Sequence, residues 1–486
     1  MNESLRRRTI IGTLWSALQK FGTLIIAFVA NMILARMLTP EDFGCIAMLA
    51  IFIVIADTFV DSGLGSAIIQ KKEINNEDLS TVFYFNILLG LVLYLLLFFL
   101  APIVAEFYRI KLLCSVLRLE GLLLIINSLS VVQTALFRKE MKFKELATAI
   151  LVGNIIAVIV AITMAYNGFG VWALVFQQLI AASIRMFGLW ILSHWKPIFS
   201  FSFTSFRQLF GFGSFIFLSN LINNVGNNIQ GLIIGKAFNA EVLGYYTQAK
   251  KLEEIVSTSI SGILDQVTYP ALAKKQEDKI GMVYVIRKMI KLIAFISFPI
   301  MIFFLITGNL IIPICYGPNW LESVPMFQIL CIAGIAICLQ GINYNAVAAI
   351  GKSRTVFKWT LIKRIAALLL ILIGLQWGIY GLLIGVVLGS YSILFCNAYQ
   401  VQLYFNYTIW AQIKDLLPIL GITVLTGLIV VLIQHIIFTS SAIIEFLILL
   451  LLYVVIYILI SHLFDLRVYK DLKVILSTLY KKGKSI

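Results

Sequence analysis

The chain has 486 residues, of which 61% are hydrophobic and 13% charged, and a formal net charge of +15. Soluble domains are roughly half apolar and a quarter charged, so a soluble globular protein is excluded. The basic excess sits in short clusters between apolar runs, without the aromatic-interleaved surface of a nucleic-acid binder, and reads as a membrane topology signal.

A helix of about 20 apolar residues satisfies its own backbone hydrogen bonds in lipid. The N-terminus, MNESLRRRTI, is basic, lacks a small-residue cleavage site and leads into a first span expected to be retained. Apolar segments follow at 10–38, 43–69, 82–107, 116–136, 146–166, 170–192, 210–238, 244–269, 289–312, 324–350, 359–375, 379–403, 416–437 and 442–463. The expectation is an all-α polytopic membrane protein with about 14 transmembrane helices. Its connections leave no room for a soluble catalytic domain. No catalytic residue is expected. The six cysteines are scattered and the three histidines lie far apart, so no metal site is expected.

Orientation follows the bases in alternate loops. One side collects Arg6, Arg7, Arg8, Lys71, Lys72, the bases of 138–144, 196–207, 274–291 and 352–364, Lys414 and the tail from Arg467. The opposite side holds Arg36, Arg109, Lys111, Arg118 and Lys236. Both termini are therefore expected in the cytoplasm, with the basic tail against anionic headgroups.

An internal repeat is visible. Residues 33–44 read ILARMLTPEDFG and residues 233–244 read IIGKAFNAEVLG, aligning Arg36 with Lys236, Glu41 with Glu241, and Gly44 with Gly244. A weaker echo pairs GVWAL at Gly170 with GIYGL at Gly378. Parallel repeats predict two pseudo-symmetric six-helix lobes around a central cavity, with ligand near mid-membrane. The expected domains are lobes at 1–195 and 210–405, an interfacial linker at 196–209, an extra two-helix hairpin at 406–465 and a basic cytoplasmic tail at 466–486.

Ionisable and amide side chains inside spans are functional suspects. Lys20 lies roughly 15 Å into the first segment at about 1.5 Å per residue. Asp57 and Asp61 share one face of the second. Lys20 reads either as a phosphate-attracting cation or as a structural partner of Asp57 or Asp61. In the seventh segment Asn220, Asn223, Asn224, Asn227, Asn228 and Gln230 form a polar stripe, suited to sugar hydroxyls or to interhelical bonding. In the eighth, Lys250, Lys251, Glu253 and Glu254 read as a charged cavity wall or a solvated helix end. Lys250 and Glu254 are spaced for an i, i+4 pair, and Glu253 shares a face with Ser257. Arg36 and Lys236 either cap helix carbonyls or close an outer gate against Glu41 and Glu241. Asp265 and Arg185 are weaker candidates, and Arg185 has a bland reading as a base snorkelling to the inner interface.

ILARMLTPEDFG at 33–44, VDSGLGSAIIQKK at 60–72 and LSTVFYFN at 79–86 resemble the polysaccharide-transport branch of oligosaccharide flippases. GFGVWALVFQQL at 168–179, LGYYTQAKKLEEI at 243–255 and VTYPALAKKQ at 267–276 are similar to it too. This branch includes the Wzx O-antigen flippases and lies in the multidrug/oligosaccharidyl-lipid/polysaccharide exporter superfamily. The likeness runs over about residues 5 to 415. It implies a bacterial inner-membrane flippase for polyprenyl-pyrophosphate-linked oligosaccharide, working by alternating access, with the pathway's glycan polymerase and glycosyltransferases as further partners and no nucleic acid. Lys20, Lys250 and Lys251 would attract pyrophosphate, and the Asn220–Gln230 amides would hold sugar. Asp57, Asp61, Glu253 and Glu254 would pair charges or couple H+ or Na+, and no other cofactor is expected. A multidrug antiporter of the same superfamily would favour a more acidic cavity. A membrane glycan polymerase or ligase would carry a longer outer loop.

Overall fold

The computed structural model describes residues 3–273, 275, 278–351, 353–436, 441–466, 468–470 and 473, and every regular element among them is helical. The chain forms two compact units, Met1–Thr247 and Gln248–Ile486. The basic tail lies almost wholly outside the described residues.

The first unit contains α1 (Glu3–Met37), α2 (Pro40–Asp61), α3 (Leu64–Gln70), α4 (Asn76–Tyr108), α5 (Leu112–Glu120), α6 (Leu122–Ser128), α7 (Val131–Lys139), α8 (Phe143–Tyr166), α9 (Val171–Leu192) and α10 (Phe203–Ala237). The next helix, α11 (Ala240–Ala273), begins in this unit and runs into the second. Local sequence sets the helix starts. Thr39 caps α2: its hydroxyl accepts from the Asp42 N–H, Asp42 accepts from the Thr39 N–H, and Pro40 occupies the first turn. Two hundred residues on, the Asn239 side chain accepts from the Val242 N–H at the start of α11. The repeated motif thus makes the same turn twice, with Met37 and Ala237 ending one helix and Pro40 and Ala240 starting the next.

Between α2 and α3 the backbone turns left-handed at Ser62 and Gly63 (φ 48° and 68°). A side chain at Gly63 would also collide with the Gly213 carbonyl of α10, so glycine is needed twice over. This break lies just beyond Asp57 and Asp61. Helix α10 packs along α2, α3 and α4, while α8 packs against α1 and α9.

The second unit contains α12 (Lys279–Tyr316), α13 (Ser323–Ala349), α14 (Ser353–Gly374), α15 (Gly378–Phe405), α16 (Ile409–Gln434) and α17 (Ala442–Leu463). Helices α14 and α15 form a tight antiparallel hairpin. Gly374 meets Gly381, Gly385 faces Leu370 and Ile371, and Gly389 faces Ala367. Small residues at four-residue spacing let two backbones approach where lipid supplies no hydrophobic drive. A Cβ on Gly385 would lie 2.5 Å from the Leu370 carbonyl oxygen. Gly385→Ala is therefore expected to cost about 1–3 kcal/mol by overpacking, read as a lowered unfolding midpoint in detergent. An unchanged midpoint would refute the close packing.

Helix α16 is tied to α12 through Asp415, which accepts from Arg287, from Lys291 at 2.8 Å and from the Tyr407 hydroxyl at 2.7 Å. The Tyr457 hydroxyl of α17 donates to the Phe295 carbonyl at 3.0 Å.

Among the described residues, 11 helices are long and apolar enough to cross a membrane, or 12 if the bent pair Leu112–Ser128 and Val131–Lys139 is one span. The expected count of fourteen is not reached by that measure. The count of 11 takes the 48-residue stretch Lys358–Phe405 as one span, although it contains most of α14 and all of α15. Helix α11, with its charges at 250, 251, 253 and 254, is not among the 11. Outward-facing side chains such as Leu88, Phe99 and Ile103 on α4 remain exposed, as lipid contact requires.

Candidate functional site: a polar cavity in the first unit

A cavity of about 450 Å³ opens among α2, α6, α8, α9 and α10. Its size falls within the usual range for small-ligand pockets, about 300–1,000 Å³. Its polar wall consists of Asp57, Thr58 and Asp61 from α2, Asn127 from α6 and Asn154 from α8. Gln178 and Arg185 from α9 and Asn220 and Asn224 from α10 complete it. Each group comes from an otherwise apolar helix, where unpaired polar atoms are costly.

Hydrogen bonds organise the wall. Asn127 Nδ2 donates to Asp57 Oδ1 at 2.8 Å, and Arg185 Nη2 donates to Asn127 Oδ1 at 2.7 Å. An amide therefore bridges a carboxylate and a guanidinium. Asn224 Nδ2 donates to Thr58 Oγ1 at 2.8 Å, and Thr58 Oγ1 donates back to the Val54 carbonyl at 2.6 Å. Gln178 Nε2 donates to Glu120 Oε1 at 3.0 Å, tying a carboxyl behind the wall to an amide on its surface. Five amides, two carboxylates and one guanidinium can donate to and accept from a polyhydroxylated ligand in many orientations.

The sequence-predicted residues divide. Asp57, Asp61, Asn220 and Asn224 line the cavity. Lys20 does not; it is exposed on α1 and makes no ion pair with Asp57 or Asp61 among the described residues. Asp57 is met instead by Asn127. The amides of the α10 stripe differ in their partners. Asn223 and Asn227 are exposed, Asn228 donates to the Asn224 carbonyl on its own helix, and Gln230 accepts from the Tyr246 hydroxyl. Arg185 does not snorkel to an interface; it completes the cavity wall.

At the repeat turns, Lys236 donates to the Phe107 carbonyl at 2.6 Å and lies 4.1 Å from the centroid of that ring, capping the end of α4. Glu241 accepts from the Tyr245 hydroxyl at 3.0 Å, and Arg36 and Glu41 are exposed. In the second unit Lys250 pairs with Glu254 at 3.7 Å, as their spacing predicts. Lys251 is exposed, whereas Glu253 is 2% exposed and packs against Gly334. The side chain of Asp265 lies outside the described residues.

Sequence reasoning missed Asn127, Asn154, Gln178 and Glu120. Each is a single polar residue in an apolar run, so intramembrane polarity was their only signal.

Known proteins resemble this chain over most of its length. The teichuronic acid biosynthesis protein TuaB of Bacillus subtilis (strain 168) is 26% identical over 73% of this chain and 74% of its own. The lipopolysaccharide biosynthesis protein WzxC of Escherichia coli (strain K12) is 25% identical over 79% of each chain. The structure of the lipid II flippase MurJ in an inward closed conformation superposes with a TM-score of 0.75 and 18% identity. It covers 95% of this chain and 99% of that one, and this likeness concerns the fold. A family model described as "Polysaccharide biosynthesis protein" matches residues 33–325. With the motifs quoted above inside that range, the chain belongs to the polysaccharide biosynthesis protein family.

Proposed function

We propose that this multi-pass membrane protein flips a polyprenyl-pyrophosphate-linked oligosaccharide, an O-antigen, capsule or exopolysaccharide repeat unit, across the bacterial inner membrane by alternating access. The observation that carries the reading is the amide-rich cavity among otherwise apolar spanning helices. The lipid tail of such a substrate is soluble in hydrocarbon, but its hydroxyls and phosphates are not. A flippase must therefore offer the head group hydrogen bonds that replace water. Asn220 and Asn224, with Asn127, Asn154 and Gln178, are the sugar-binding groups in this reading. Lys20, Lys250 and Lys251 attract the pyrophosphate. Asp57, Asp61, Glu253 and Glu254 pair charges or couple H+ or Na+ to the movement of two six-helix lobes. Both termini face the cytoplasm, and the polymerase and glycosyltransferases of the same pathway are its neighbours.

The test is translocation of a fluorescent polyprenyl-pyrophosphate oligosaccharide by purified protein in liposomes. Wild type is expected to move the probe to the far leaflet, and Asn220→Ala with Asn224→Ala to slow it. Protein-free rates in the wild type would overturn the reading. Lys20→Ala is expected to reduce translocation with little change in protein level; normal transport by that variant removes Lys20 from the phosphate role. Two carboxylates beside one guanidinium are the single feature favouring a multidrug antiporter. Expression in a drug-sensitive strain is expected to confer no resistance to cationic drugs.

A further inference from the structure

Glu120 is the last residue of α5, and its side chain is shut away behind the cavity with 2% exposure. One carboxyl oxygen accepts from Gln178; the other, Oε2, has no hydrogen-bond partner among the described residues. Helix α5 packs against α2, α4, α6 and α9. The charged and titratable groups on those helices are few. Helix α2 carries Asp57 and Asp61, with Glu41, Asp42 and Cys45 at its far end, and α9 carries Arg185. Helix α4 carries Tyr84, Tyr94 and Tyr108, with Glu77, Asp78 and Glu106 toward its ends, and α6 carries none. On α5 itself, Cys114 is a free cysteine, and Arg118 turns away to donate to the Phe98 carbonyl at 3.3 Å and cover that ring at 4.3 Å. No ion pair to Glu120 exists among the described residues.

Glu120 and Asp57 therefore differ in kind. Asp57 faces the cavity with Asn127 bonded to it and Arg185 one amide away. Glu120 has no cation, one amide donor and an unpartnered oxygen, so its ionised form in this arrangement is uncompensated. Its single bond runs to a side chain that lines the cavity. Gln178 can turn its amide to Glu120 or to a ligand hydroxyl, and serving one releases the other.

We propose that Glu120 is a proton-exchange site linked to the transport cavity through Gln178. With Gln178 bonded to it, Glu120 is a carboxylic acid. When a sugar hydroxyl draws the Gln178 amide into the cavity, water reaches the carboxyl. The O–H bond then breaks, its electron pair stays on oxygen, and the proton passes to that water as hydronium. The reverse step takes a proton from hydronium and restores the acid; no electrons are exchanged. Ligand and proton occupancy are thereby reciprocally linked. The site exists independently of what the cavity carries; its use in driving transport rests on the flippase reading.

The full-length protein in lipid nanodiscs tests the site without transport. The infrared carbonyl stretch of protonated carboxyls, followed through a pH titration, is expected to lose one titrating band in Glu120→Gln. That variant keeps the oxygen that accepts from Gln178. Glu120→Asp is expected to keep the band with a moved midpoint, as is Gln178→Leu. Wild-type and Glu120→Gln titrations that superimpose would overturn the site. In liposomes an imposed pH gradient is expected to stimulate flipping of the fluorescent probe by wild type, and Glu120→Gln to run at the same rate with and without the gradient. Retained stimulation in Glu120→Gln overturns the coupling role. If wild type flips nothing while the infrared band is lost, the flippase reading fails and the proton site stands.

Discussion

Adding one methyl group to Gly44 or to Gly244 is expected to destabilise this protein more than any other single-methyl change in the first unit. A Cβ on Gly44 would fall far inside the van der Waals contact distance of the Ala240 carbonyl oxygen, and one on Gly244 far inside that of the Pro40 carbonyl oxygen. The two contacts are reciprocal. The same positions of the repeated turn meet across each other, backbone on backbone, at the starts of α2 and α11. A flexible side chain could yield; two capped helix starts cannot move without losing their caps. Overpacking typically costs about 1–3 kcal/mol, and this geometry sits at or above the top of that range. Gly211→Ala in α10 and Gly421→Ala in α16 are the controls, because nothing lies within 4 Å of a Cβ at either. Replacing an unhindered helical glycine by alanine should be neutral or stabilise by up to about 1 kcal/mol. Thermal unfolding of the four variants in detergent is expected to show Gly44→Ala and Gly244→Ala well below wild type and both controls at or above it. If Gly44→Ala melts with Gly211→Ala, the reciprocal contact is not part of the stable fold.

The second large effect belongs to Arg185. Arg185→Gln is expected to destabilise the first unit and to suppress translocation, because it strips the cation from the Asp57–Asn127–Arg185 chain and leaves two carboxylates, Asp57 and Asp61, on the cavity wall without it. Removing one partner of a buried charge pair costs about 3–5 kcal/mol. Here the pair is bridged by an amide and half-buried, so the lower end of that range applies. The informative comparison is the double variant. Asp57→Asn with Arg185→Gln removes both charges while keeping hydrogen-bonding amides, and is expected to be more stable than Arg185→Gln alone. The coupling energy should exceed the roughly 0.3–0.5 kcal/mol within which independent sites add. Strict additivity in chemical or thermal unfolding would mean that Asp57 and Arg185 do not sense one another.

Much of this protein was legible without coordinates. Long apolar runs must become spanning helices, because lipid offers the backbone no other partner. The repeat turn at Thr39 and Asn239 was readable because capping is local, decided by a few adjacent residues. The Lys250–Glu254 pair followed from spacing along one helix, and the motifs inside 33–325 named the family. Helical period says which residues share a face; it does not say which neighbour that face meets. Hence Lys20 and Asp57 looked like partners, while the tertiary structure brings Asn127, 70 residues further along the chain, to Asp57. The α10 amides share one helix face in the sequence, and only packing against α2 brings Asn220 and Asn224 of them to the cavity wall. Glu120 stayed hidden because a lone carboxyl near the end of a short helix resembles a solvated one until Gln178, 58 residues away, closes over it. Composition and local spacing determined the class, the spans and the turns, since those depend on solvent and on near neighbours. Which polar groups share one hollow depends on how helices distant in sequence cross, and only the folded chain decided it.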